Sequence, residues 1–254
     1  MTNVLVCVKR VPELTTEVLL TEDRLRVDAR NVGYTTSAHE ECAVELAIQV
    51  ASATGGTATV LTVGGDDAVE QLRNALSGGA DGAILVEADA DAFGPADVAR
   101  AVADVVRSSD TAYDLILLGN DAADTGDFQV GVRLGYALDR PVVAGATSVT
   151  VDGETASIVA EGPDGTAVYE VRLPAVATIL EGGVTPRYPS LVGRMKAKKI
   201  SIDTVHPAFE PTGSSRLRLH TPPPVPSEVQ LLGEGPAAAA AVVDTLRTLG
   251  VLRR

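Results

Sequence analysis

The segment GNDAADTGDFQVG at 119–131 follows directly on the apolar run LILL at 115–118 and carries three glycines and three aspartates. A buried strand that runs out into such a loop is a common way to meet a nucleotide phosphate. Glycine lets the backbone turn and approach closely, and the free amides of a following helix present the positive end of a dipole to an anion. Three carboxylates would repel the same anion. The two features are compatible if the cradle is made of main-chain N–H groups and needs no lysine. In that reading Asp127 or Thr125 caps a helix expected over 128–138, while Asp121 and Asp124 hydrogen-bond amides or ribose hydroxyls. The spacing also fits a solvated turn held by Asx bonds, and a divalent metal on Asp121, Asp124 and Asp127 would lack a further ligand.

Other chemistry is sparsely provided for. Neither GxGxxG nor GxxxxGK[ST] occurs, so the dinucleotide and P-loop fingerprints are absent. The histidines are His39, His206 and His220, and no serine or cysteine nucleophile has local support from them, so no catalytic set is expected. Cys7 and Cys42 show neither CxxC nor Cys/His spacing, which argues against a disulfide framework or a zinc site. His39 falls in the first turn of a helix, either as a surface histidine or in touch with a ligand. RMKAKK at 194–199 is either a solvated helix face or, with Leu191 and Val192 before it, a small docking anchor; a core leucine under a helix is the competing reading.

The elements that must position these residues alternate. NVLVCVK (3–9), ATVLTV (58–63), GAILVE (82–87) and LILLG (115–119) are short β-branched runs of the kind strands show when both faces are covered. Between them, 39–53, 68–76 and 95–106 carry apolar residues at three- and four-residue spacing, with capping boxes at Ser37/Glu40 and Asp67/Glu70. The pattern predicts an α/β fold with a parallel sheet, and in such sheets ligands sit outside the carboxyl ends of the strands. Those ends are 7–11, 63–66, 87–89 and 119–131. Beyond 141, the runs 142–151, 156–161 and 167–173 around turns at Asp152-Gly153 and Pro163-Asp164-Gly165 predict an appended β-meander, and 176–180 one more core strand. The stretch 206–236, with TPPPVP, cannot form a core of its own, yet it leads into an amphipathic helix at 236–252 that needs something to dock on.

With 254 residues and 45% apolar content the chain can bury a sizeable core, and its net charge of −13 argues against nucleic acid or an anionic membrane as the main partner. The apolar run at 4–8 is too short for a signal peptide or a membrane span, so a cytoplasmic protein is expected.

VLVCVKRVP (4–12), AVELA (43–47), NALSGGADGAILV (74–86), LLGNDAADTGDFQVG (117–131), LPAV (173–176) and PRYPSLVGRMKAKK (186–199) resemble, in order and spacing, the β subunit of electron transfer flavoprotein. The resemblance covers about 3–205, and the tail has the family's look. It implies a Rossmann-like fold of the adenine-nucleotide α-hydrolase type over 1–205, with the β-meander and a partner-recognition loop at 184–199. It also implies an arm over 206–254 whose terminal helix docks on an α subunit. The implied protein is an electron carrier, not an enzyme. It would form a heterodimer with the α subunit, which carries the redox FAD, take electrons from flavin dehydrogenases such as acyl-CoA dehydrogenases, and pass them to a quinone oxidoreductase.

The β subunit's own nucleotide would be a structural AMP, with a second FAD in electron-bifurcating relatives as the alternative. Carried over, the pocket comprises Cys7, Ser37, Ala38, His39, Glu40, Val63, Gly119, Asn120, Asp121, Ala122, Ala123, Asp124, Thr125, Gly126, Asp127, Phe128, Gln129 and Val130. Leu191 falls where the family keeps its anchoring leucine for the dehydrogenase, Glu161 on a glutamate that positions the mobile flavin domain, and His39 toward the α-bound isoalloxazine. Departures bear on the occupant: Ala122-Ala123-Asp124 stands where many members read AID, Ser37-Ala38 replaces an Asn-Pro pair, and Gln129-Val130-Gly131 leans toward the bifurcating branch. A stand-alone adenine-nucleotide sensor and an adenylate-forming or hydrolysing enzyme are the readings from other classes.

Overall fold

The computed structural model describes residues 1–13, 18–162, 165–214, 216–223 and 229–252. The expected turn at Pro163-Asp164 and residues 224–226 of the TPPPVP stretch lie outside them. Two compact units emerge, Met1–Leu219 and His220–Arg254.

The first unit opens with strand β1 (Val4–Cys7) and a short antiparallel pair, β2 (Val11–Pro12) and β3 (Tyr34–Thr35). Helix α1 (Ala38–Thr54) leads to β4 (Ala58–Gly64), α2 (Val69–Gly78) to β5 (Gly82–Glu87), and α3 (Pro95–Ser108) to β6 (Leu115–Gly119). After α4 (Val130–Leu138) come β7 (Val142–Asp152), β8 (Thr155–Gly162), β9 (Gly165–Arg172) and β10 (Ala175–Ile179), then α5 (Leu191–Ala197) and β11 (Ile202–Val205).

The main sheet has the order β11-β5-β4-β1-β6-β10-β7-β8-β9. Pairing is parallel from β11 through to β7 and antiparallel only in β7-β8-β9, which is the expected meander joined to the sheet's edge. Burial explains the continuous apolar runs. Val4, Val6, Val60, Leu85 and Leu117 pack beneath α1 and α2 on one face, while Leu5, Leu61, Ile84, Ile116 and Leu118 meet α3 and α4 on the other. The fold is therefore α/β with a mostly parallel, Rossmann-like sheet.

Successive strands move outward from β1 to β4 and β5, and then the chain returns to β6 on the opposite side of β1. The sheet's direction of growth reverses between β1 and β6, and a crevice opens there outside their carboxyl ends.

One expected detail is corrected. The Ser37/Glu40 capping box forms, but Asp67/Glu70 does not: a 3-10 turn over Asp66–Ala68 delays α2 to Val69, and Asp67 pairs with Arg10 at 3.1 Å. Residues 206–219 at the start of the expected arm belong to the first compact unit. Phe209 packs against Phe93 with centroids 5.8 Å apart and the rings tilted by 46°, and the Arg100 guanidinium lies 4.0 Å above the Phe209 ring.

In the second unit a 3-10 turn, Gly235–Ala238, leads into α6 (Ala239–Thr248), which buries no residue and exposes Val242, with Leu249 and Val251 exposed just beyond it. No helix among the described residues is long and apolar enough to cross a membrane.

Candidate functional site

A cavity of about 710 Å³ opens at the carboxyl ends of β1, β4, β5 and β6. Its size lies inside the roughly 300–1,000 Å³ span of small-molecule sites. Of the residues expected there, Cys7, Glu40 and Val63 line it, as do Gly119, Asn120, Asp121 and Ala122 of the loop, Asp124 and Thr125, and then Asp127, Phe128, Gln129 and Val130. Ser37, Ala38, His39 and Ala123 face instead an adjoining cavity of about 380 Å³, to which Asp121 also contributes. Gly126 lines neither; with φ at 60° it sets the bend of the loop. Leu191 and Glu161 lie outside both, Leu191 on α5 with 76% of its surface exposed and Glu161 exposed on β8.

The loop is fixed at both ends. Gly131 sits against β10, where a Cβ would come within 2.2 Å of Thr178 Cγ2. Asn120 fixes the other end: its Oδ1 accepts from Thr178 Oγ1 at 2.6 Å and from the Gly145 amide at 3.1 Å. Helix α4 begins at Val130, two residues later than expected, and neither Asp127 nor Thr125 caps it. Its N-cap is Gln129, whose Oε1 takes the Arg133 guanidinium at 2.8 Å instead of the helix amides. The first-turn amides are thus left without a side-chain partner, at a site where Phe128 adopts a left-handed conformation with φ of 53°.

The aspartates divide their roles. Asp124 accepts from Lys9 Nζ at 2.7 Å, which neutralises it across the crevice from β1. Asp121 keeps Oδ1 buried and without a hydrogen-bond partner among the described residues, as is His39 Nδ1 in the neighbouring cavity. An unpartnered buried acceptor is costly and suits a ligand hydroxyl or N–H.

Glu40 ties α1 to β1. One carboxylate oxygen accepts from the Lys9 amide and the other from the Ser37 amide, both at 3.0 Å, and the Ser37 hydroxyl donates to it as well. Burial raises its carboxyl from 4.5 to about 7, outweighing the Ser37 and Lys9 hydrogen bonds that act to lower it. Burial, with the Glu40 charge beside it, pushes the Cys7 thiol up to about 12, so Cys7 is a neutral wall of the cavity. The native state therefore holds the Glu40 proton more tightly than the unfolded chain does. The stability this contributes is complete below about pH 4.5 and is lost as the pH rises through about 7. Its size is of order 3 kcal/mol. Denaturant titrations at pH 5 and pH 8 will show a drop for the wild-type protein that is largely absent in Glu40→Gln.

Several lining residues carry no local signal. Arg10 stacks 3.4 Å from the centroid of Tyr34, pairs with Asp67, and keeps Nε buried without a partner among the described residues. Arg26, Arg216 and Leu219 line the same cavity because the arm returns over it: Arg216 Nη1 donates to Leu25 O at 2.9 Å and the Leu219 amide to Arg24 O at 2.8 Å. The Lys9-Arg10 pair directly after the first apolar run was the available hint.

Comparison with known proteins agrees with this geometry. The electron transfer flavoprotein domain family matches residues 25–210. The Bacillus subtilis protein named electron transfer flavoprotein subunit beta is 34% identical over 197 residues, covering 78% of this chain and 76% of its own. A protein of the same name from Syntrophomonas wolfei is 34% identical over 248 residues and 96% of both chains. The human protein of that name is 33% identical over 209 residues, 81% of each chain. The cavity at the switch point, the backbone loop that lines it and these relatives converge: the chain belongs to the β-subunit family of electron transfer flavoproteins.

Proposed function

We propose that this chain is the nucleotide-filled docking subunit of a cytoplasmic heterodimer, holding AMP in the larger cavity and presenting Leu191 to flavin dehydrogenases such as acyl-CoA dehydrogenases. Electrons then pass to FAD on the α subunit and onward to a quinone oxidoreductase. The observation that carries this reading is the crevice between β1 and β6, one wall of which is lined by a glycine-bearing loop and by the start of α4, whose first turn has no side-chain cap.

The residues present fit an adenine nucleotide. The amides at the start of α4 suit its phosphate, and the unpartnered Asp121 Oδ1 suits a ribose hydroxyl. The apolar wall of Val63, Phe93 and Val98 suits the base. A nucleotide held here binds the folded state alone and so stabilises the subunit. A second FAD is the alternative occupant, favoured by the cavity's continuation past the loop to Arg10, Arg26 and Arg216. Flavin supplies the electron chemistry, and this chain supplies binding, orientation and a docking surface. In the smaller cavity His39 offers its unpartnered Nδ1 to the rim of the partner subunit's flavin, and Glu161 helps to position the flavin domain.

Leu191, Val192 and Met195 expose most of their side chains on α5, beside Tyr188 at 88% exposure and the basic residues Arg194, Lys196, Lys198 and Lys199. Such a patch is the hydrophobic centre of a docking site with a charged rim. Leu191→Ala will slow reduction by an acyl-CoA dehydrogenase about tenfold, with flavin content and melting temperature unchanged. A fall in melting temperature at unchanged reduction rate would contradict the docking role.

A further inference from the structure

The seven-residue helix α5 is too short to hold its shape in water by itself, and most of its apolar side chains face outward. Something else must fix it. At the N-terminal side, Glu45 of α1, only 5% exposed, accepts three hydrogen bonds from Arg187: from the amide at 3.1 Å, Nε at 2.7 Å and Nη2 at 2.8 Å. Gln49 Nε2 donates to the same carboxylate at 2.7 Å. The Arg187 side chain holds the Glu45 carboxyl at about 2 despite its burial. At the C-terminal side, Arg73 of α2 donates from Nη1 to the carbonyls of Ala197 and Ile200, the second at 2.6 Å. Between the two, Ser190 Oγ caps the Gly193 amide at 3.0 Å, and Gly193 lies so close to α2 that a Cβ would come within 2.3 Å of Ser77 O.

Neither Glu45 nor Arg73 lies on the exposed patch. Both act from helices of the first unit on the two ends of one exposed segment. Bidentate pairing fixes the direction of Arg187 as well as its distance, and Arg73 Nη1 bridges the last carbonyl of α5 and the carbonyl of Ile200 just beyond it. The effect is to order Tyr188, Leu191, Val192 and Met195 before a partner arrives, so that the ordering cost is not charged to association.

We propose that Glu45 and Arg73 are positioning residues of the docking surface: a two-point clamp that preorganises 187–200 so that Leu191 is presented in its binding geometry. The inference rests on the reading of Leu191 as a docking anchor.

The test uses the complete heterodimer with an acyl-CoA dehydrogenase, reduced by its acyl-CoA substrate, as electron donor. Glu45→Gln keeps the shape of the buried side chain and removes its charge; Arg73→Met keeps the stem and removes the donors. Each variant is expected to speed amide exchange in 188–199 by at least about tenfold and to raise the KM for the dehydrogenase by about tenfold, the cost of ordering one or two side chains. Limiting turnover, flavin content and bound nucleotide should stay unchanged, a split that a general loss of structure would not give. Unchanged exchange in both variants overturns the clamp. A raised KM in Leu191→Ala with unchanged KM in both clamp variants overturns this inference alone. An unchanged KM in all three overturns the docking reading and the inference with it.

Discussion

Replacing Asp97 with alanine will release 209–219 from the first unit and lower the melting temperature by about 10 °C. Asp97 stands in the first turn of α3 and is 4% exposed. Its carboxylate accepts from the Gly94 amide at 3.0 Å, the Thr212 amide at 2.9 Å, the Thr212 hydroxyl at 2.8 Å and the Gly213 amide at 2.9 Å. Burial acts to raise its carboxyl, but these hydrogen bonds outweigh it and hold the group at about 2. The stability it contributes is therefore present above about pH 3.8 and lost as the pH falls through about 2. Alanine leaves three backbone donors without their acceptor, at a cost of about 3 kcal/mol. Asparagine is no remedy, because its amide nitrogen would face a donor. Since Ser214, Arg216 and Leu219 line the cavity, loosening the arm also opens one of its walls. Trypsin should then cut at Arg216 and Arg218 in the variant under conditions where the wild-type arm survives; equal protection in both would show that the carboxylate does not hold the arm.

The second large effect is expected from Gly119→Ala. A Cβ at this position would come 2.6 Å from Glu40 Cγ, and 3.2 Å from both the Glu40 amide nitrogen and His39 Cβ. Glu40 cannot swing away cheaply, because its two oxygens join Lys9 and Ser37. The start of α1 or the end of β6 must move instead, costing about 2–3 kcal/mol. Glu40 lines the larger cavity and His39 the smaller, so both change shape. The variant should purify with little or no bound nucleotide. Gly126→Ala is the control: its φ of 60° makes alanine strained by about 1 kcal/mol, yet the nearest side-chain atom to a Cβ there is Asp121 Oδ1 at 3.9 Å, so nucleotide should be retained. Nucleotide retained in Gly119→Ala would mean that the loop does not have to approach α1 closely to bind.

How legible these features were depends on the range of the interactions. GAILVE became β5 and LILLG became β6 with the expected bounds, because strands buried on both faces must be apolar without interruption. The Ser37/Glu40 box was readable because its partners are three residues apart. The Asp67/Glu70 box had equally good spacing and failed, because Asp67 is drawn to Arg10 from another strand end. Asp97 illustrates the limit: its partners at Thr212 and Gly213 are 115 and 116 residues away, in a stretch whose proline-rich composition suggested only an arm. Strand β11 was likewise hidden, as four residues parallel to β5 with only Ile202 less than exposed. Within the loop the glycines were informative, whereas the expected caps were not, since α4 starts only at Val130 with Gln129 at its N-cap and Thr125 Oγ1 accepts from Lys9 instead.

β subunits of this family are electron-transfer subunits and not enzymes, and the family implies an electron transfer flavoprotein α subunit as partner. The nucleotide proposed for the crevice between β1 and β6 is one that is bound by main-chain amides and kept there.

The central claim is tested most directly by purifying the chain with its α subunit, denaturing the complex, and counting released nucleotides. The account predicts one AMP and one FAD per heterodimer. Two FAD and no AMP would assign the cavity to flavin, and one FAD with no other nucleotide would contradict the claim that this subunit is built around a bound nucleotide.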